Sequence, residues 1–179
     1  IRDSHRGLSL QRRIIGMRSQ HAFHKRAEKE IKIVQSCYYF MGRTEWDKSL
    51  INLFNPSATY FHCEEVLRDS FMNNNKQWKV EVSDKIKIVS VISNPWYKGV
   101  DLILKTAQLL KRFTGLDFKW QVYGVQNIRF YEHKYKIKAV DVNVKIMGTA
   151  SKEELVDTLC SATCYVHPSY IDNSPNSLC

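Results

Sequence analysis

From Lys85 onward the chain repeats one pattern: a short apolar run, a turn, then apolar residues at helical spacing. Ile86, Ile88, Val89, Val91 and Ile92 make a strand flanked by lysines, and Asn94-Pro95 turns it. Val100, Ile103, Leu104, Ala107 and Leu110 then mark one face of a helix that Gly115 closes. Phe118, Trp120 and Val122 alternate in a second strand ending at Gly124, and residues 126–138 read as a basic, aromatic helix. Val142, Val144, Ile146 and Met147 form a third strand ending at Gly148. Ser151 with Glu154 three residues on is a capping box ahead of Leu155, Val156 and Leu159. Cys164, Tyr165 and Val166 form a fourth strand before His167-Pro168-Ser169. Strand and helix in strict alternation predict the α/β class: a Rossmann-like parallel sheet with helices on both faces.

The first 84 residues are less regular. Residues 9–36 are polar and rich in helix formers, with sparse apolar positions, and predict one helix or two. Cys37–Met41 reads as a short buried strand ended by Gly42. Thr44 then resembles an N-cap, with Asp47 answering it three residues later. Trp46, Leu50, Leu53 and Phe54 share a helical face that Asn55-Pro56 stops, and residues 58–63 suggest another strand. Residues 64–84, with Asn73-Asn74-Asn75 and scattered charges, have no clear period. The expected organisation is a domain remnant over 1–63, a linker or hinge over 64–84 and a larger domain over 85–179.

Composition narrows the class. Apolar residues are 44% of the 179, enough for a packed core, and no apolar run is long enough to span a membrane. The formal charge of +9 is uneven: residues 1–34 hold nine basic and three acidic side chains, a local +6. Such a segment suits nucleic acid, anionic lipid headgroups or an anionic substrate. The five cysteines include no C-x-x-C pair, which argues against zinc and a disulfide framework and for a reducing, cytoplasmic compartment. Cys160 and Cys164 read as small buried hydrophobes. A chain that begins at Ile1 reads as a piece of a longer protein.

In parallel sheets ligands bind at the carboxyl ends of the strands, so the chemistry is expected in the loops there. The loop Ser93-Asn94-Pro95-Trp96-Tyr97-Lys98-Gly99 opens a helix with a lysine, which suits a phosphate or diphosphate. Gly148 and Thr149 form a small loop whose backbone can lie against a flat ring. The richest loop runs from His167 to Cys179: Asp172 supplies a carboxylate, and Asn173, Ser174, Asn176 and Ser177 supply donors. Neither a G-x-G-x-x-G nor a G-x-x-x-x-G-K-[ST] sequence occurs, so a dinucleotide fingerprint and a P-loop lack support.

Lys98-Gly99-Val100-Asp101, Val122-Tyr123-Gly124, Ile146-Met147-Gly148, Glu153-Glu154-Leu155 and Pro168-Ser169-x-x-Asp172, in that order, resemble the C-terminal half of retaining GT-B glycosyltransferases. The similarity is to the family-four ("group 1") class of bacterial surface polysaccharide synthesis and covers residues 83–179. Gly42–Asp47 and Cys63–Arg68 resemble the end of the acceptor-side domain and its hinge.

The resemblance implies transfer of a sugar from a UDP- or GDP-linked donor to a glycan or lipid-linked acceptor, as in capsule synthesis, without a metal or other cofactor. It implies that Lys98 contacts the donor diphosphate and that Asp172 stands near the donor sugar as the catalytic carboxylate. The remaining donor contacts implied are Ser93, Asn94, Gly99, Gly148, Thr149, Asn173, Ser174, Asn176 and Ser177, with Arg43 and Thr44 facing the acceptor cleft. Two departures stand out. The family's arginine five residues before the lysine is Ser93 here, and Asp172 is one methylene shorter than the usual glutamate. The family's second glutamate would fall one position past Cys179, so the piece is expected to be inactive alone. Expected partners are the donor, the acceptor and an anionic membrane at its inner face, with no nucleic acid. The competing class is a basic nucleic-acid-binding module, suggested by Arg129-Phe130-Tyr131 and His133-Lys134-Tyr135-Lys136 but lacking a recognition motif. A sugar-nucleotide epimerase is a third reading, disfavoured by the missing Gly-rich loop.

Overall fold

The structure is a computed structural model that describes residues 10–64, 66–79, 85–93 and 95–178. It divides into two compact units, Ile1–Glu65 and Val66–Cys179.

In the first unit, the long polar stretch is a single helix, α1 (Leu10–Ser36), followed by β1 (Tyr39–Gly42), α2 (Glu45–Phe54) and β2 (Thr59–His62). The two strands pair in parallel, Tyr39 opposite Thr59 through Gly42 opposite His62. Thr44 is the N-cap of α2. Its hydroxyl accepts from the Asp47 amide at 3.1 Å, and the Asp47 carboxylate accepts from the Thr44 and Arg43 amides. At the other end of α2, Asn55 does more than stop the helix. It is buried, and its side-chain amide donates to the Val34 and Cys37 carbonyls at 2.9 and 2.8 Å. Val34 is in the last turn of α1, where its carbonyl also accepts from the Cys37 amide at 3.4 Å, and Cys37 directly follows the helix, so one side chain ties the end of α1 to that of α2.

The expected burial differs. The strand read as buried is half-exposed, with Tyr39 and Met41 largely open, and Trp46 and Leu53 on the apolar face of α2 are more than half exposed. Two strands offer too little surface to bury both faces of a parallel sheet, which explains why the pattern is correct and the burial is not.

The second unit begins with a short helix, α3 (Asp69–Met72), inside the stretch expected to be a linker. The residues after it are docked. The Trp78 indole donates to the Ala162 carbonyl at 2.7 Å, the Lys79 amide to the Cys160 carbonyl at 3.0 Å, and Lys76 pairs with Asp157. Then follow β3 (Ile86–Val91), α4 (Val100–Phe113), β4 (Phe118–Tyr123), α5 (Arg129–Tyr135), β5 (Val144–Gly148), α6 (Lys152–Cys160) and β6 (Cys164–Tyr165). All four strands run parallel in the order β5-β4-β3-β6.

Each face of this sheet carries its own apolar layer. Ile88, Trp120, Val122 and Val144 pack with Val100, Ile103, Leu104 and Ala107 of α4 and with Ile128 and Tyr131 around α5. On the other face Val89, Tyr123 and Ala162 pack with Leu155 and Leu159 of α6. The near-continuous apolar runs of β3 and β4 follow from this double coverage. The sheet is therefore of the doubly covered, Rossmann-like type that the alternation predicts.

Three local expectations need correction. Val142 is not in β5 but in a 3₁₀ turn, Val140–Val142, because Asn143 adopts a left-handed backbone (φ 60°) that breaks the apolar run. The helix expected over 126–138 is confined to α5, since Lys136 is left-handed as well (φ 56°). Cys160 is half-buried and Cys164 exposed, so they are not the buried pair expected.

Candidate functional site

Strand order fixes where a ligand can sit. The chain moves outward from β3 to β4 to β5, then crosses back to place β6 on the other side of β3. That change of direction makes the carboxyl ends of β3 and β6 the place where a sheet of this kind takes a ligand. Strand β6 pairs with β3 through only two residues, Cys164 and Tyr165. Buried polar groups reinforce it. Ser90, fully buried, donates to the Val166 carbonyl at 2.6 Å and accepts from the Trp120 indole at 3.0 Å. The Val166 amide also donates to the Val89 carbonyl at 2.9 Å. The Ser90 hydroxyl, the Trp120 indole and both backbone groups of Val166 are paired in this strut, so the start of the loop after β6 is held at several points.

The loops leaving β3 and β6 are stitched to each other. The Tyr170 amide donates to the Tyr97 carbonyl at 2.8 Å, and the Ser169 hydroxyl reaches the same oxygen at 3.3 Å. The Tyr170 hydroxyl donates to Asp101 in the first turn of α4 at 2.7 Å, where Lys105 also approaches at 3.1 Å. Asp101 is buried, and these two partners and the positive end of the helix compensate its charge. Burial, then the Asp101 carboxylate, push the Tyr170 phenol up to about 12. Gly99, the N-cap of α4, has φ 74° and lies directly against the Pro168 carbonyl.

Where the loops meet, residues far apart in sequence converge. The Lys98 ammonium pairs with Asp172 Oδ2. His167 Nε2 lies 2.8 Å from the same oxygen, and His167 Nδ1 is 3.3 Å from the Ser177 hydroxyl. Side-chain exposures of 14% for Lys98, 11% for His167 and 20% for Asp172 mean this cluster is shielded on most sides. Burial alone would raise the Asp172 carboxyl. The hydrogen bonds and charges of Lys98 and His167 outweigh it and hold the carboxyl below its ordinary range.

That depression has a pH consequence. The folded carboxyl titrates below the unfolded value of about 3.9, so its stabilisation is complete above that value and disappears as pH falls through the folded one. In urea unfolding across acidic pH, the wild-type chain will lose stability faster than Asp172→Asn, and the two curves will converge at the acid end. Parallel curves would show that Lys98 and His167 do not stabilise the carboxylate.

The other expected site residues distribute as follows. Ser93 is exposed just beyond β3, and Asn94 lies outside the described residues. Gly148 ends β5 with φ 77°, and Thr149 is exposed beside it. Strand β5 is two places from β3, a separation of about 10 Å between the strand axes. Asn173, Ser174, Asn176 and Ser177 follow Asp172 in a run of bends and a turn, with the Leu178 amide donating to the Pro175 carbonyl at 2.9 Å. Arg43 and Thr44 belong to the first unit, where Thr44 acts as a helix cap. Among the described residues, no group of three or more His, Cys, Asp or Glu converges as metal ligands would, and no helix is long and apolar enough to cross a membrane.

His167 and Ser90 were missed as site residues. A histidine just after a strand, five positions before a carboxylate, is a usable signal for the first. A lone serine inside an apolar strand is one for the second.

No curated protein sequence matches the chain. The family described as "Glycosyl transferases group 1" matches residues 72–178, from α3 through the turn that follows Asp172. The match spans more than half the chain and contains the whole parallel sheet, and the chain belongs to the group 1 glycosyl transferases.

Proposed function

We propose that the chain supplies the donor-binding part of an enzyme that transfers a glycosyl group from a UDP- or GDP-linked sugar, with retention of configuration and without a metal, to a glycan or lipid-linked acceptor in surface polysaccharide synthesis. The observation that carries this reading is the convergence of Lys98, Asp172 and the polar turn 173–177 at the carboxyl ends of β3 and β6.

Departure of a nucleoside diphosphate develops negative charge on its phosphate oxygens. The Lys98 ammonium and the amides opening α4, a 14-residue helix, are suited to stabilise that charge. Asp172 engages Lys98, so an arriving diphosphate competes with the carboxylate for the ammonium. Once displaced, Asp172 is free to accept from a sugar hydroxyl beside the anomeric carbon. The Gly148–Thr149 loop follows a strand whose axis is about 10 Å from that of β3, a suitable separation for the base of the same nucleotide. The basic excess of residues 1–34 supports docking on anionic lipid at the inner face of the membrane, in the cytoplasm.

The test is calorimetric titration of the chain with UDP, GDP and a mixed-sequence oligonucleotide at roughly 0.1 and 0.5 M salt. One nucleoside diphosphate is expected to bind at both salt concentrations, because its contacts are shielded and directional. Oligonucleotide affinity held only by surface charge will collapse at the higher salt. Salt-resistant oligonucleotide binding with neither nucleotide bound would replace the transferase donor reading with the nucleic-acid one.

A further inference from the structure

We propose that His167 is a positioning residue for Asp172, holding the carboxylate in place for the donor sugar when Lys98 turns to the diphosphate. This inference rests on the donor reading above. The contacts of Lys98 and His167 with Asp172 fall on one oxygen, Oδ2. A carboxylate that lost Lys98 would keep the imidazole on that same oxygen. Of the two partners, His167 is the one built not to move. Lys98 ends a flexible four-carbon stem beside the Tyr97 ring, 5.4 Å from its centroid. The imidazole instead follows the β6 strut directly, and its ring stacks on Tyr165, centroids 6.5 Å apart and planes 25° apart.

The hydrogen-bond roles are determined by the partners. An ionised carboxylate only accepts, so Nε2 carries the proton toward Asp172. Nδ1 of the neutral ring then accepts from the Ser177 hydroxyl. Should the ring become charged, the same hydroxyl can accept from Nδ1, so the clamp survives either state. The charged or titratable groups facing the imidazole are Asp172 from its own loop, Lys98 behind Asp172 from the loop before α4, and Tyr165 from β6, whose phenol burial pushes up.

Two measurements test this on the 179-residue chain. Proton NMR of the protein without added nucleotide should show a protected Nε2 proton. It should vanish in His167→Ala and in Asp172→Ala. Calorimetry then compares UDP with UDP-glucose, and GDP with GDP-mannose. For whichever pair binds, His167→Ala should lower nucleotide-sugar affinity about tenfold while changing the nucleoside diphosphate by less than about twofold. His167→Gln, whose amide can still donate to Asp172, should recover most of the loss.

Equal loss for nucleotide and nucleotide sugar would mean that His167 merely supports the loop, and would overturn the proposal. So would a glutamine variant no better than alanine, or an Nε2 proton indifferent to Asp172→Ala. If the wild-type chain binds neither UDP nor GDP, the donor reading fails, and the Nε2 proton still decides whether His167 holds Asp172.

Discussion

In the transfer-competent full-length enzyme, Lys98→Ala will reduce sugar transfer by about 10²–10³ in kcat/KM, the loss typical of removing one preorganised group from a developing oxyanion. The size follows from the site's construction. Lys98 lies where the β3 loop enters α4, its ammonium is mostly shielded, and its charge adds to that of the helix N-terminus. Charge held in such a place needs no reorganisation when the phosphate leaves, whereas a surface lysine would be screened by water. Lys111→Ala provides the control. It removes an exposed lysine from the last turn of the same helix, whose ammonium donates to the Asp141 carbonyl at 2.8 Å, and should change turnover by less than about threefold. Thermal melts separate the two kinds of damage. Removing Lys98 leaves Asp172 with His167, so the fold should persist while turnover and nucleoside-diphosphate affinity fall together. Turnover within about threefold of wild type would take Lys98 out of the mechanism.

How much of this was visible in the sequence depends on the range of the interaction that decides each element. The β3–α4–β4 segment was readable because Ile88, Leu104 and Trp120 bury surface in the periods their own elements dictate. Local capping was equally readable. Thr44 and Ser151 both accept the amide hydrogen bond their positions predict. Val142 was misread because a single left-handed residue, Asn143, interrupts an apolar run that composition alone continues. Burial in the first unit was misread because amphipathic spacing tells which face of α2 is apolar, not what covers it. The candidate site shows the same division. Lys98 and Asp172 were identified one at a time, by resemblance. Their pairing joins residues 74 positions apart and depends on β6 crossing back beside β3, a topological fact no local pattern encodes. Ser90 and His167 take their roles from that crossing, so the sequence offered only an odd polar residue in each place.

The crossing also has a tight point at Gly99, and altering it should damage fold and site together. Gly99 combines a left-handed backbone (φ 74°) with contact so close that an added Cβ would overlap the Pro168 carbonyl. Gly115, at the other end of α4, has nearly the same conformation (φ 63°) but nothing within 4 Å of where a Cβ would stand. Alanine at Gly115 therefore meets only the conformational penalty of about 1–2 kcal/mol. Alanine at Gly99 meets that penalty and the cost of overpacking a rigid contact, a further 1–3 kcal/mol or so. Urea unfolding should thus show Gly99→Ala less stable than Gly115→Ala by about 1–3 kcal/mol at similar m-values. The functional difference should be larger. Relief of the clash must push Pro168 away from α4, because the Gly99 backbone is fixed by its own helix: its carbonyl accepts from the Ile103 amide at 3.1 Å. Pro168 follows His167 directly and precedes Asp172 by four residues, so that movement separates both from Lys98. Gly99→Ala should then lose nucleoside-diphosphate binding under conditions where it remains folded, while Gly115→Ala keeps it. Equal stability and equal binding in the two variants would show that the approach of Pro168 to Gly99 does not hold the two loops in register.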